Sequence, residues 1–139
     1  MPARAYSNGS QARRERYAIK YGDTGTLDVV NGLYNGGVRR AVNKFGGKAL
    51  IDFDRPMELT DWFEFSKIKM EQTLANNKTA RFVMDGVDNK AAFNSGSEFY
   101  TSLTSKELRY IRDNWTRFKD NVQFVKFDKK WDQIPWEEL

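Results

Sequence analysis

The chain has 139 residues, 40% of them hydrophobic, 14% aromatic and 30% charged, with a formal net charge of +4. That length fits one domain with a single aromatic-rich core. Cysteine and histidine are both absent, which excludes disulfides, thiolate and imidazole nucleophiles and most zinc sites.

Any catalysis would therefore run on carboxylates, lysine, tyrosine or a hard metal held by oxygen. No stretch approaches the roughly 18 consecutive apolar residues of a membrane span. The start, Met1-Pro2-Ala3-Arg4-Ala5-Tyr6, has no apolar run behind it. No secretory signal is read there, and a cytoplasmic location is expected.

In chain order, residues 1–25 read as an extended basic arm. Residues 1–21 hold five of the 23 basic side chains (Arg4, Arg13, Arg14, Arg16 and Lys20) and one of the 19 acids, Glu15. The rest of the chain is balanced, so the whole excess charge sits in the arm. Guanidinium groups fork onto phosphates and tyrosine rings stack on bases. Arg4, Arg13, Arg14, Arg16, Tyr17, Lys20 and Tyr21 are therefore the candidate nucleic-acid contacts. A solvated tail, or a clamp on a neighbouring subunit, accounts for the same residues equally well.

Residues 26–139 read as one α/β domain. Over 26–45 apolar residues recur at helical spacing, yet Asn31-Gly32 and Asn35-Gly36-Gly37 are turn signals. The pattern predicts a short element, a glycine-rich bend and a helix over about 38–45, stopped by Gly46-Gly47. Residues 48–54 predict a strand. Thr60 is the expected cap of a helix over about 61–75, apolar on several sides. Residues 79–85 predict a second strand and 86–103 a long polar loop. Thr104 and Glu107 form the pattern of a capping box opening the next helix. Residues 122–128 predict a third strand, and about 129–139 form an acidic, aromatic tail. Alternation over 48–128 predicts a small three-stranded α/β sheet with parallel strands, an antiparallel α+β arrangement being the alternative.

Two residues apart on one strand, Asp52 and Asp54 would share a face at its carboxyl end, where parallel sheets place their sites. Asp85, Asp88 and Asp128 fall at the ends of the other strands. Such a group could hold Mg²⁺. The stretch Ala49-Leu50-Ile51-Asp52-Phe53-Asp54 resembles the first motif of the haloacid-dehalogenase-like phosphatases, an apolar strand followed by Asp-x-Asp. The resemblance implies Asp52 as nucleophile and Asp54 as acid/base. It departs from that family in Arg55-Pro56, where a small pair is expected, and in having no later Asp-Asp pair. Strand-end acids facing water are the preferred reading. The glycine turns match no phosphate-binding fingerprint, and Lys106, Arg109 and Arg117 read as a solvated helix face.

In the tail, Trp131, Ile134 and Trp136 are candidate protein contacts. The tail resembles, in general character, the acidic-apolar tips with which single-stranded-DNA-binding proteins recruit partners. Rings that cover the domain's own core are the competing reading. The function expected is therefore that of a non-catalytic binding protein without a cofactor. Its arm would engage nucleic acid or a neighbouring copy and its tail a protein, as in a phage or viral assembly component or a protein that binds a host machine. The alternative is a Mg²⁺-dependent phosphotransfer enzyme or nuclease acting through Asp52, Asp54 and Asp85.

Overall fold

The computed structural model describes residues 28–33, 37–53, 55, 57 and 59–138. The basic arm, with every candidate nucleic-acid contact in it, and Asp54 lie outside the described residues. Four strands, β1 (Val29–Gly32), β2 (Lys48–Ala49), β3 (Ala80–Val83) and β4 (Val122–Val125), form one sheet in the order β2-β1-β3-β4. Every pair is parallel. The helices among the described residues are α1 (Arg39–Phe45), α2 (Trp62–Ala75), α3 (Asn89–Ala92), α4 (Leu103–Asp113) and α5 (Trp115–Phe118).

The mixed α/β class expected from the sequence is the class observed, with four strands rather than three. The additional strand is β1. Its Asn31-Gly32 pair closes a strand instead of making a turn, and the helical spacing over 26–45 came from two separate elements. The strand expected over 48–54 keeps two residues, and a 3-10 turn over Leu50–Asp52 takes the next three. The Asp52 carboxylate turns the chain there by accepting the Ala49 N–H at 3.1 Å. The polar loop at 86–103 contains α3, capped by Asp88, and a 3-10 turn over Glu98–Thr101.

Register sets what each face of the sheet presents. Asn31, Phe82 and Phe124 stand in one row, and Gly32, Val83 and Val125 in the next, so the two rows point to opposite faces. Right-handed crossovers from β1 to β2, from β2 to β3 and from β3 to β4 place α1 on one face and α2 and α4 on the other. The packing agrees. Val30, Val83 and Val125 join Val38 and Ala41 beneath α1. Phe82 and Phe124 join Met70, Leu108, Ile111 and Phe118 beneath α2 and α4.

Two caps differ from expectation. Asp61, not Thr60, opens α2 by accepting the Phe63 N–H at 2.9 Å. Ser102, not Thr104, opens α4 by accepting the Ser105 N–H at 3.1 Å. The second shift has a consequence: Thr104 and Glu107 become buried side chains of α4 rather than its cap. As its sequence implies, α2 is buried on several sides, with Phe65, Ile68 and Met70 all inside. No described helix is long and apolar enough to cross a membrane.

Candidate functional site

In an open parallel sheet, ligands settle outside the carboxyl ends of the strands where the strand order reverses. That point here lies between β1 and β3, since the chain leaves β1 to one side for β2 and returns on its other side as β3. β2 pairs with β1 only at Val29↔Lys48 and Val30↔Ala49. Beyond Val30, no strand among the described residues lies on the β2 side of β1.

A pocket of about 270 Å³ fills that gap. Asn31 and Gly32 of β1 and Leu50 and Ile51 of the turn after β2 line one part of it. Trp62 of α2 and Leu103 and Glu107 of α4 line another. Its volume is near the lower end of ligand pockets, which run from roughly 300 to 1,000 Å³. Trp62 is 38% exposed and forms part of the mouth, with the Arg55 guanidinium 4.6 Å over its ring. Among the described lining residues, Asn31 and Glu107 supply the one carboxamide and the one carboxyl, and none is a lysine or arginine.

Asn31 is 4% exposed, and neither its Oδ1 nor its Nδ2 has a hydrogen-bond partner among the described residues. It continues a row whose other members are Phe82 and Phe124. A buried polar group left unpaired costs about 1–3 kcal/mol. Buried amides are otherwise almost always satisfied, so an exception calls for an occupant.

Glu107 is 3% exposed, and its carboxyl accepts from the Ser66 hydroxyl of α2. Burial pushes the carboxyl up to about 7, against the Ser66 hydrogen bond, which draws it down. It therefore spends neutral pH divided between its acid and its carboxylate. One residue turn away, Thr104 Oγ1 donates to the Gly32 carbonyl at 3.3 Å and ties α4 to the end of β1. Gly32 itself is required. Its φ is +134°, and a Cβ there would lie 2.7 Å from the Val83 carbonyl oxygen. With both nearby hydroxyls committed, the pocket offers one amide, one titrating carboxyl and apolar walls. That set suits holding a ligand by shape and a few directed hydrogen bonds.

The acids singled out from the sequence take separate structural roles. Asp52 accepts from Arg39, whose hydrogen bond holds its carboxyl below the ordinary value while burial opposes this weakly. Asp85 accepts the Phe127 N–H at 2.8 Å and anchors the chain after β4. Asp88 caps α3 through the Ala91 N–H, and Asp128 lies 3.5 Å from Lys126. Among the described residues no three acidic side chains gather as a metal site.

The tail residues lie against their own domain. Trp136 stacks on Trp115 with ring centroids 4.7 Å apart, and the Ile134 N–H donates to the Phe124 carbonyl at 2.7 Å. Trp131 sits edge-on to both Phe45 and Phe127, at 5.5 and 5.4 Å. Phe127 is 44% exposed and carries the Arg40 guanidinium 4.3 Å over its ring. Lys44, Lys129 and Lys130 are exposed on the same two segments, α1 and the turn after β4. On the polar face of α4, Arg109 is committed to the Ala92 and Tyr100 carbonyls and Arg117 to Glu71.

Asn31, Ser66, Glu107 and Trp62 were not among the candidate site residues read from the sequence. The one available signal was a polar residue inside the run Val29-Val30-Asn31, where β-branched neighbours imply a buried strand. No protein family, curated protein or solved structure matches the chain.

Proposed function

We propose that this chain is a non-catalytic binding protein that holds a small, apolar-bodied molecule in the pocket at the end of β1. The observation that carries the reading is Asn31, a buried amide with no partner among the described residues, at the wall of an apolar pocket. Its position at the carboxyl ends of β1 and β2 supports the same reading. A fragment screen by protein-observed NMR tests it. Hits should move the Gly32 amide and Trp62 indole signals and lose that effect in Asn31→Leu, which removes the amide. Hits that map elsewhere, or that bind the variant equally well, would contradict it.

A second reading is favoured by Phe127. An exposed ring between Arg40 and Trp131, with Lys44, Lys129 and Lys130 exposed on the segments that carry Arg40 and Phe127, is the combination of aromatic ring and cations that suits single-stranded nucleic acid. On this reading the basic arm at residues 1–25 supplements that surface, and Trp131 serves it rather than a protein partner. Phosphates draw the strand, and Phe127 stacks on a base.

A further inference from the structure

We infer that Arg40 is the residue through which the Phe127 surface binds a phosphate of a single-stranded nucleic acid, and that Phe127 is the positioning residue for its guanidinium. The inference rests on the single-strand reading above and names the group that meets the backbone of the strand.

Six described arginines lie over aromatic rings. Five of them also spend N–H groups on oxygens of the domain. Arg55 donates to the Leu59 carbonyl, and Arg109 to the Ala92 and Tyr100 carbonyls. Arg81, Arg112 and Arg117 pair with Asp28, Asp113 and Glu71. Arg40 is the exception. It is exposed, its guanidinium lies 4.3 Å over the Phe127 ring, and it makes no hydrogen bond or ion pair among the described residues. Its neighbour Arg39 is paired with Asp52.

The kind of partner matters. A carboxylate orders a guanidinium by neutralising it. A ring orders it through its π face and leaves the charge and the five N–H donors for an outside acceptor. The planar fork matches a phosphate in two parallel hydrogen bonds, and a fork already ordered loses less freedom on binding. Charge on α1 points the same way. Its seven residues include Arg39, Arg40 and Lys44 and no acid. Lys44 follows Arg40 by one turn, and like charges at that spacing repel until an anion joins them.

The ring is itself held. Trp131 meets Phe127 edge-on at 5.4 Å and Phe45 at 5.5 Å. Lys130 and Trp131 both have left-handed backbones, with φ of +56° and +65°, which cost energy in residues other than glycine. That turn sets the Trp131 ring against both phenylalanines.

Two conservative substitutions test the device. Arg40→Lys keeps the charge and removes the fork, and Phe127→Leu keeps apolar bulk and removes the π face. Wild type, both variants and the double variant are titrated as full chains with a fluorescent oligothymidylate at low salt. Arg40→Lys is expected to weaken binding about tenfold, the worth of one hydrogen bond to a charged group. In the Phe127→Leu background the same substitution should have no effect, because residues that act as one device are not additive. Arg40→Lys binding as tightly as wild type overturns the inference and leaves the single-strand reading standing. An equal loss in both backgrounds overturns the positioning role of Phe127. A measurement on the wild-type chain needs no variant: the Arg40 Nε–H signal should shift when oligothymidylate is added, and a signal that stays in place while the strand binds overturns the assignment to Arg40. If oligothymidylate does not bind the wild-type chain at all, the single-strand reading falls together with the inference.

Discussion

Ser66 of α2 and Glu107 of α4 meet between their helices, where the Ser66 hydroxyl donates to a carboxyl that is 3% exposed. This contact binds the two helices that cover one face of the sheet. It also places a carboxyl with a pKa of about 7, raised by burial from 4.5, at the pocket wall.

The raised pKa fixes how stability changes with pH. Below 4.5 Glu107 is protonated in both the folded and the unfolded chain and its titration costs nothing. Between 4.5 and about 7 the unfolded chain ionises while the folded chain resists, so stability falls as pH rises. Above about 7 the penalty is complete, on the order of 3 kcal/mol. Glu107→Gln, which keeps an acceptor for Ser66, should match the wild type in acid and exceed it by about that amount in mildly alkaline buffer. Urea unfolding at both ends of the range measures this, and a difference that does not change with pH would contradict it.

Trp136 closes the edge of the core by stacking on Trp115 and touching Phe124. Because the ring is half-buried, Trp136→Ala should destabilise the domain by about 2 kcal/mol, less than the full burial of a tryptophan implies. Thermal unfolding checks it. An unchanged midpoint would show that the tail packs too loosely to matter and would return Trp136 to the role of a partner contact.

Single-strand binding, the second reading, divides its energy between charge and stacking. Arg40→Glu should weaken binding of a mixed single-stranded DNA and flatten its dependence on salt. Phe127→Ala should weaken it by about 1–3 kcal/mol while leaving the salt slope unchanged. Fluorescence anisotropy across a salt series reports both. If neither substitution changes binding, the surface around Phe127 is not a nucleic-acid interface.

The frame of the fold was legible because its strands and helices follow simple patterns. Short apolar runs mark β3 and β4, and an apolar stripe of Leu108, Ile111 and Phe118 marks the inner faces of α4 and α5. The residues of the pocket were not legible, because each mimics a local signal. Asn31-Gly32 has the form of a turn, and its strand identity comes from pairing with Phe82 and Val83, 51 positions away in the chain. Thr104 and Glu107 have the form of a capping box, but Ser102 opens the helix two residues earlier and sends both side chains inward. Asp52 was read as part of a strand, and the bond it accepts from Ala49 is what ends that strand. In each case a long-range partner or a neighbouring cap outweighed local propensity, which is where functional residues tend to depart from local rules.

On the pocket reading, Asn31 is held buried and unpaired for a ligand, at the expense of the free protein's stability. Equilibrium unfolding of wild type and Asn31→Leu in the same ligand-free buffer tests it most directly. Leucine has room in the adjoining pocket and removes two unpaired polar groups, so the variant should be more stable by about 1–3 kcal/mol. A variant less stable than the wild type would show that the Asn31 amide is already satisfied in the free protein, and the site would lose its reason to bind.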